Sequence, residues 1–139
     1  MWKFHSIAIT LKSMSNQFET FNEFWPFYVG EHSRNDTRRL HFIGTLTIIP
    51  LCLGAILFNP YLALLIPVSA YGFAWFSHFF VEKNRPATFI YPLWSLLGDF
   101  KMFWFMCRGK MSAELIRCEK LNLVRSLADV SFTDDADGM

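Results

Sequence analysis

LHFIGTLTIIPLCLGAILFNPYLALLIPVSAYGFAWFSHFFV, residues 40–81, is a run of 42 residues without one Asp, Glu, Lys or Arg. Wound as helix it would reach about 63 Å at about 1.5 Å per residue, close to twice the ~30 Å of a bilayer's hydrocarbon core. Asn59 and Pro60 sit near its middle, and a proline disfavours helix in the residue before it while suiting the first turn of the next. The stretch therefore predicts a helical hairpin crossing a membrane twice, with one helix at about Leu40–Phe58 and a second at about Tyr61–Val81. The soluble alternative buries both helices in a bundle core, but a chain of 139 residues leaves too little to wrap two uncharged helices of this length.

The flanks of the run carry its orientation. Arg34, Arg38 and Arg39 precede it, Lys83 and Arg85 follow it, and the Asn59–Pro60 tip bears no charge. Positive charge stays on the cytoplasmic side, so both open ends, and with them both termini, are expected there.

Composition agrees with an all-α membrane fold, a helical hairpin with flanking amphipathic or interfacial helices. Apolar residues make up 53% of the chain and aromatic ones 18%, more than an ordinary soluble domain carries. The 13 basic residues are scattered among 12 acidic ones for a net charge of +1, with no stripe suited to a phosphate backbone, which argues against nucleic acid as a partner. Cys52, Cys107 and Cys118 are odd in number, far apart and lack a CxxC pair, so reduced thiols are expected rather than a disulfide framework or zinc ribbon. Residues 14–127 read as one membrane-embedded helical domain. Residues 1–13, ahead of Met14 and lacking a signal-peptide pattern, read as an N-terminal extension, and the acidic residues 128–139 as a disordered tail.

Three further segments read as helices. Phe18, Phe21, Trp25 and Tyr28 recur at three- and four-residue spacing with Asn16, Gln17, Glu19 and Glu23 between them, the pattern of an amphipathic helix, here expected against the membrane face. Ile90–Cys107 is apolar and aromatic but holds Asp99 and Lys101 in its middle, each costing about 2.5–3.5 kcal/mol at a bilayer centre. An interfacial or re-entrant helix packed on the hairpin is expected there, without a full crossing. Leu115, Cys118, Leu121, Val124 and Leu127 form a weaker stripe in a helix that Ser112 could cap.

The hairpin also brings histidines together. His41 opens its first helix and His78 closes its second, so an antiparallel pair puts both at one mouth. His32, nine residues before His41, is close enough to fold over that mouth, and Glu82 follows His78 by four residues, on the same face if the helix continues. Two or three imidazoles with a carboxylate and open positions suit a non-heme Fe(II) centre. The competing reading makes each histidine an interfacial residue bonded to backbone or lipid; convergence from separate segments, and the usual functional meaning of polar groups at membrane depth, favour the metal.

The segments FWPFYVGEHSRNDTRRLHFIGT and AWFSHFFVEKNRPATFIYPLWSLLGD resemble the small membrane-protein family that includes the fungal 2-hydroxy fatty acid dioxygenase of phytosphingosine breakdown. The resemblance covers roughly Phe24 to Lys110 and is most specific at His32, Asn35, His41, His78, Glu82 and the Arg85–Ala87 RPA. It implies a membrane Fe(II)-dependent dioxygenase that shortens a 2-hydroxy fatty acid by one carbon, with O2 as co-substrate and membrane lipid around it. His32, His41 and His78 would be the iron ligands. Glu82 would be a ligand or would orient an imidazole, and Asn84 or Arg85 would steady the substrate head group. The membrane would be the inner one of a bacterium, or the endoplasmic reticulum of a eukaryote. The alternative from a different class is a non-catalytic membrane protein that organises lipids or partner proteins.

Overall fold

A computed structural model of the chain describes residues 18–136, with side chains through 128. Its helices are α1 (Phe21–Gly30), α2 (Asn35–Leu57), α3 (Leu65–Phe76), α4 (Pro92–Cys107) and α5 (Met111–Ala136). No strand occurs among the described residues, and the fold is all-α as expected. The extension at 1–13 lies outside the described residues, as do Asn16, Gln17 and the last three of the chain. Between them, α5 continues to Ala136, into the acidic segment whose composition reads as disordered. Extending a helix already nucleated costs far less than starting one.

The hairpin forms where the uncharged run predicts it. A first rod spans Asn35–Leu57 and a second Pro60–Glu82, each of 23 residues and long and apolar enough to cross a membrane. Asn59 ends one and begins the other, its side-chain oxygen accepting from the Tyr61 N–H at 3.0 Å. The second rod is wound in three ways: a 3-10 turn at Pro60–Leu64, α3, and a π-helical turn at Ser77–Glu82. The two rods pack against each other, and Thr47 and Ser69 join them by a hydroxyl–hydroxyl hydrogen bond. Only 17% of each apolar stretch is covered by the rest of the chain, and Ile56 and Phe58 near the tip remain 79% and 85% exposed. The core helix of a soluble bundle would be mostly covered; among the described residues no layer covers these faces.

At the other end, α1, α4 and α5 form a cap around an aromatic core of Phe18, Phe24, Trp25, Tyr28, Val29 and Met102. Thr20 caps α1 by accepting from the Glu23 N–H, while the Glu23 carboxylate reaches back to the N–H of Glu19, the residue before the cap. The apolar face of α1 is buried in protein rather than laid on a membrane, because α4 and α5 close over it. Lys101 of α4 sits over the Trp25 ring at 4.3 Å, and Glu114 of α5 accepts from Trp25 Nε1 at 2.6 Å. The α5 stripe divides: Cys118 is buried, whereas Leu121, Val124 and Leu127 are exposed. Contact with α1 runs instead through Glu114, Cys118 and Asn122, whose amide donates to the Pro26 carbonyl. Ser112 lies inside the first turn of α5 instead of capping it.

Helix α4 packs on both α1 and α2. Its 16 residues reach about 24 Å, short of a hydrocarbon core. Gly98 permits the approach to α1, since a Cβ there would meet the Tyr28 ring at 2.9 Å. At its end Gly109 takes φ +64°, and the N–H groups of Gly109 and Lys110 cap the Met106 and Phe105 carbonyls, so the chain reverses into α5.

Candidate metal centre

Three segments deliver the histidines. His32 hangs from the turn after α1, His41 is in the second turn of α2, and His78 lies in the π-helical turn. All three are buried, at 1%, 5% and 2% exposure. The Nε2 atom of His32 is 3.2 Å from that of His41 and 3.1 Å from that of His78. Among the described residues this is the cluster of ligand atoms able to hold a metal ion, all within 4.8 Å of one another.

The far side of each ring decides what those contacts are. His32 Nδ1 lies 2.6 Å from the Tyr28 carbonyl oxygen, which only accepts. His41 Nδ1 lies 2.6 Å from Asp99 Oδ1, a carboxylate oxygen. His78 Nδ1 lies 2.8 Å from Asn84 Oδ1, and the Asn84 amide is oriented by donating its NH2 to the Glu31 carbonyl and carboxylate. Each Nδ1 therefore carries the proton, and each Nε2 presents a lone pair to the other two. With all three rings neutral, three lone pairs converge and repel, and no hydrogen bond joins the rings.

A shared proton is a poor remedy, because burial, and then the two neighbouring imidazoles, hold the His32 ring well below its ordinary value. A metal ion is a good one. Nitrogens about 2.1 Å from one ion are about 3.0 Å apart at right angles and about 3.4 Å apart at tetrahedral angles, which brackets the two short separations. The donor set fits a metal that accepts three neutral imidazoles, and oxygen acceptors on the far nitrogens are the usual support of such ligands.

The surrounding chain explains why the rings stay put. Arg38, one turn before His41 on α2, donates one Nη1 to the carbonyls of His32 and Ser33 at 2.7 and 2.6 Å, pinning the turn that carries His32. Lys83 adopts φ 58°, a left-handed conformation unusual for a side-chain-bearing residue, and the turn it makes swings Asn84 back onto His78. The π turn itself closes with the Lys83 and Asn84 N–H groups both on the His78 carbonyl, a local widening often found at functional sites. The Tyr28 ring lies against His32, tilted by 32° with ring centroids 4.2 Å apart, and its hydroxyl donates to Asp99. Burial, and then the Asp99 charge, push the Tyr28 phenol well above its ordinary value, so it remains a donor.

Of the other candidate site residues, Asn84 reaches the cluster, as the partner of His78. Glu82 does not join the group of ligand atoms: its carboxylate accepts from the Arg34 N–H at 2.6 Å and the Ser33 hydroxyl at 3.2 Å, closing the start of α2. The π winding is the reason, since it breaks the four-residue register that would stack Glu82 on His78. Arg85 is exposed, with its guanidinium 6.0 Å from the centre of the Phe89 ring. Asp99, Tyr28 and Arg38 were not anticipated as site residues. Asp99 carried a usable signal, because a charge in the middle of an apolar helix needs a partner.

No curated protein and no solved structure matches the chain. A family model does, over residues 18–111, and its description is 2-hydroxy-palmitic acid dioxygenase Mpo1-like. That span holds every residue of the cluster and of its supports, from Tyr28 through Asp99, and the chain belongs to the Mpo1-like family.

Proposed function

We propose that the protein is a membrane-bound, Fe(II)-dependent dioxygenase that shortens 2-hydroxy fatty acids by one carbon. The observation that carries this reading is the convergence of three buried Nε2 lone pairs whose far nitrogens are each fixed by an oxygen acceptor. The family's description supplies the substrate class. His32, His41 and His78 would hold the iron. Bound there, Fe(II) supplies the one-electron chemistry that lets O2 react with a closed-shell hydroxy acid.

The balance closes with one 2-hydroxy acid and one O2 giving the acid one carbon shorter, CO2 and water. The chain's own part is to keep three imidazoles neutral and aimed at one point, and to place that point at the mouth of an apolar hairpin. An open groove of about 780 Å³ runs between α2 and α3, lined by Leu40, Leu51, Val68 and Phe73 among others. Leu40 and Phe76, which line it, are chain neighbours of His41 and of Ser77–His78, so the groove runs along the two rods that carry two of the ligands, although none of the three histidines lines it.

Protein purified without oxygen and loaded with Fe(II) should convert 2-hydroxypalmitate to the fifteen-carbon acid, read by mass spectrometry. Loaded protein that leaves a range of 2-hydroxy fatty acids intact would overturn the assignment, leaving a non-catalytic membrane protein as the reading.

The hairpin sits in the membrane with both open ends cytoplasmic, residues 14–127 forming one embedded domain and α4 lying at the interface. The basic flanks and the uncovered apolar rods support this orientation. A cysteine placed at Asn59 in a variant lacking Cys52, Cys107 and Cys118 should react with an impermeant maleimide only from the outer face. Labelling only from the cytoplasm would invert the arrangement.

A further inference from the structure

One oxygen of Asp99 serves two donors. Its Oδ1 accepts from His41 Nδ1 at 2.6 Å and also from the Tyr28 hydroxyl. The other two histidines lean on neutral acceptors, a backbone carbonyl and an amide oxygen. His41 is thus set apart by facing a negative charge across a part-buried hydrogen bond, its own side chain 4% exposed and that of Asp99 21%. A carboxylate pulling on Nδ1–H pushes electron density toward Nε2 and makes the imidazole a stronger donor. A second donor on the same oxygen draws that density away, because the charge is shared between two bonds.

We propose that Asp99 and Tyr28 form an opposed pair that sets the donor strength of His41: Asp99 raises it and the Tyr28 hydroxyl holds it down. The inference rests on the metal-centre reading above. It assigns Asp99 and Tyr28 as positioning and tuning residues, acting through His41 without touching the ion themselves. The geometry serves the tuning well. Tyr28 is also the residue whose carbonyl fixes His32, so a single α1 residue touches the supports of two ligands, through its backbone for one and its hydroxyl for the other. Gly98, beside Asp99, leaves the room the Tyr28 ring needs to reach that oxygen.

The two substitutions should move metal affinity in opposite directions. Asp99→Asn keeps a hydrogen-bond acceptor but removes the charge, and should weaken Co(II) binding to detergent-solubilised protein by about 10- to 100-fold. Tyr28→Phe keeps the ring and the backbone carbonyl but frees Asp99 for His41 alone. It should tighten Co(II) binding, by up to about tenfold. The Co(II) absorption bands should shift in opposite senses in the two variants. A purely structural role for the pair predicts that both variants bind more weakly, and that result would overturn the proposal, as would Asp99→Asn binding with wild-type affinity. Should Asp99→Asn fail to fold, Tyr28→Phe decides alone: tighter binding supports the pair, and equal or weaker binding refutes it. Wild-type protein that binds no Co(II), Zn(II) or Fe(II) would instead remove the metal centre on which the pair acts.

Discussion

Alanine at His32, His41 or His78 should abolish stoichiometric Fe(II) binding and oxygenation while leaving helix content and membrane insertion as in the wild type. Each side chain presents one lone pair to the shared point, and none contributes to the apolar surface that drives the hairpin into a bilayer. In most buried sites, truncating a packed polar residue costs stability. Here it also removes one member of a repelling trio, so the metal-free variants should melt close to metal-free wild type. The contrast comes with metal: at 100 times its dissociation constant a ligand stabilises the protein that binds it by about 2.7 kcal/mol. Wild type should show that gain in thermal unfolding, and the three variants should show none. One variant that retains a full equivalent of tightly bound iron would show that its histidine is not a ligand.

Arg38→Met should lower metal affinity by about 10- to 100-fold, although Arg38 does not belong to the cluster. Methionine keeps an unbranched apolar stem and discards every donor. The carbonyls of His32 and Ser33 then lose the Nη1 group they share, and the buried His32 acceptor, left unpaired, costs about 1–3 kcal/mol unless the turn rearranges to find another partner, while the Ser33 carbonyl is only partly buried. Rearrangement is the more damaging outcome for the site, because His32 rides on that turn. Glu82 cannot compensate, since it holds the same turn from the other side through the Ser33 hydroxyl and the Arg34 N–H. Titration of the purified variant with Co(II), alongside its unfolding temperature, separates the two effects. Wild-type affinity in Arg38→Met would mean that His32 is held without Arg38.

The charge count of an apolar run, the proline that breaks it and the alternation of aromatic with polar residues are local properties. The sequence by itself therefore determined the hairpin, its Asn59–Pro60 turn, the presence of three flanking helices and the meeting of His41 with His78 at one mouth. Hydrophobic periodicity says that a face is apolar, however, and leaves open what will cover it. So α1 reads as a membrane-surface helix although α4 and α5 bury it, and the single stripe read on α5 divides, with Cys118 buried and Leu121, Val124 and Leu127 exposed. Only the tertiary structure decided the centre's supports. Asp99 is 58 positions from His41, and Tyr28 is 71 from Asp99; a hydrogen bond is set by distance in space, and only the packed helices bring those groups together. The same holds for Glu82, four residues from His78 in the chain and yet turned to the start of α2. A helix register carries over those four residues only if the winding stays regular, and the π turn there makes it wider.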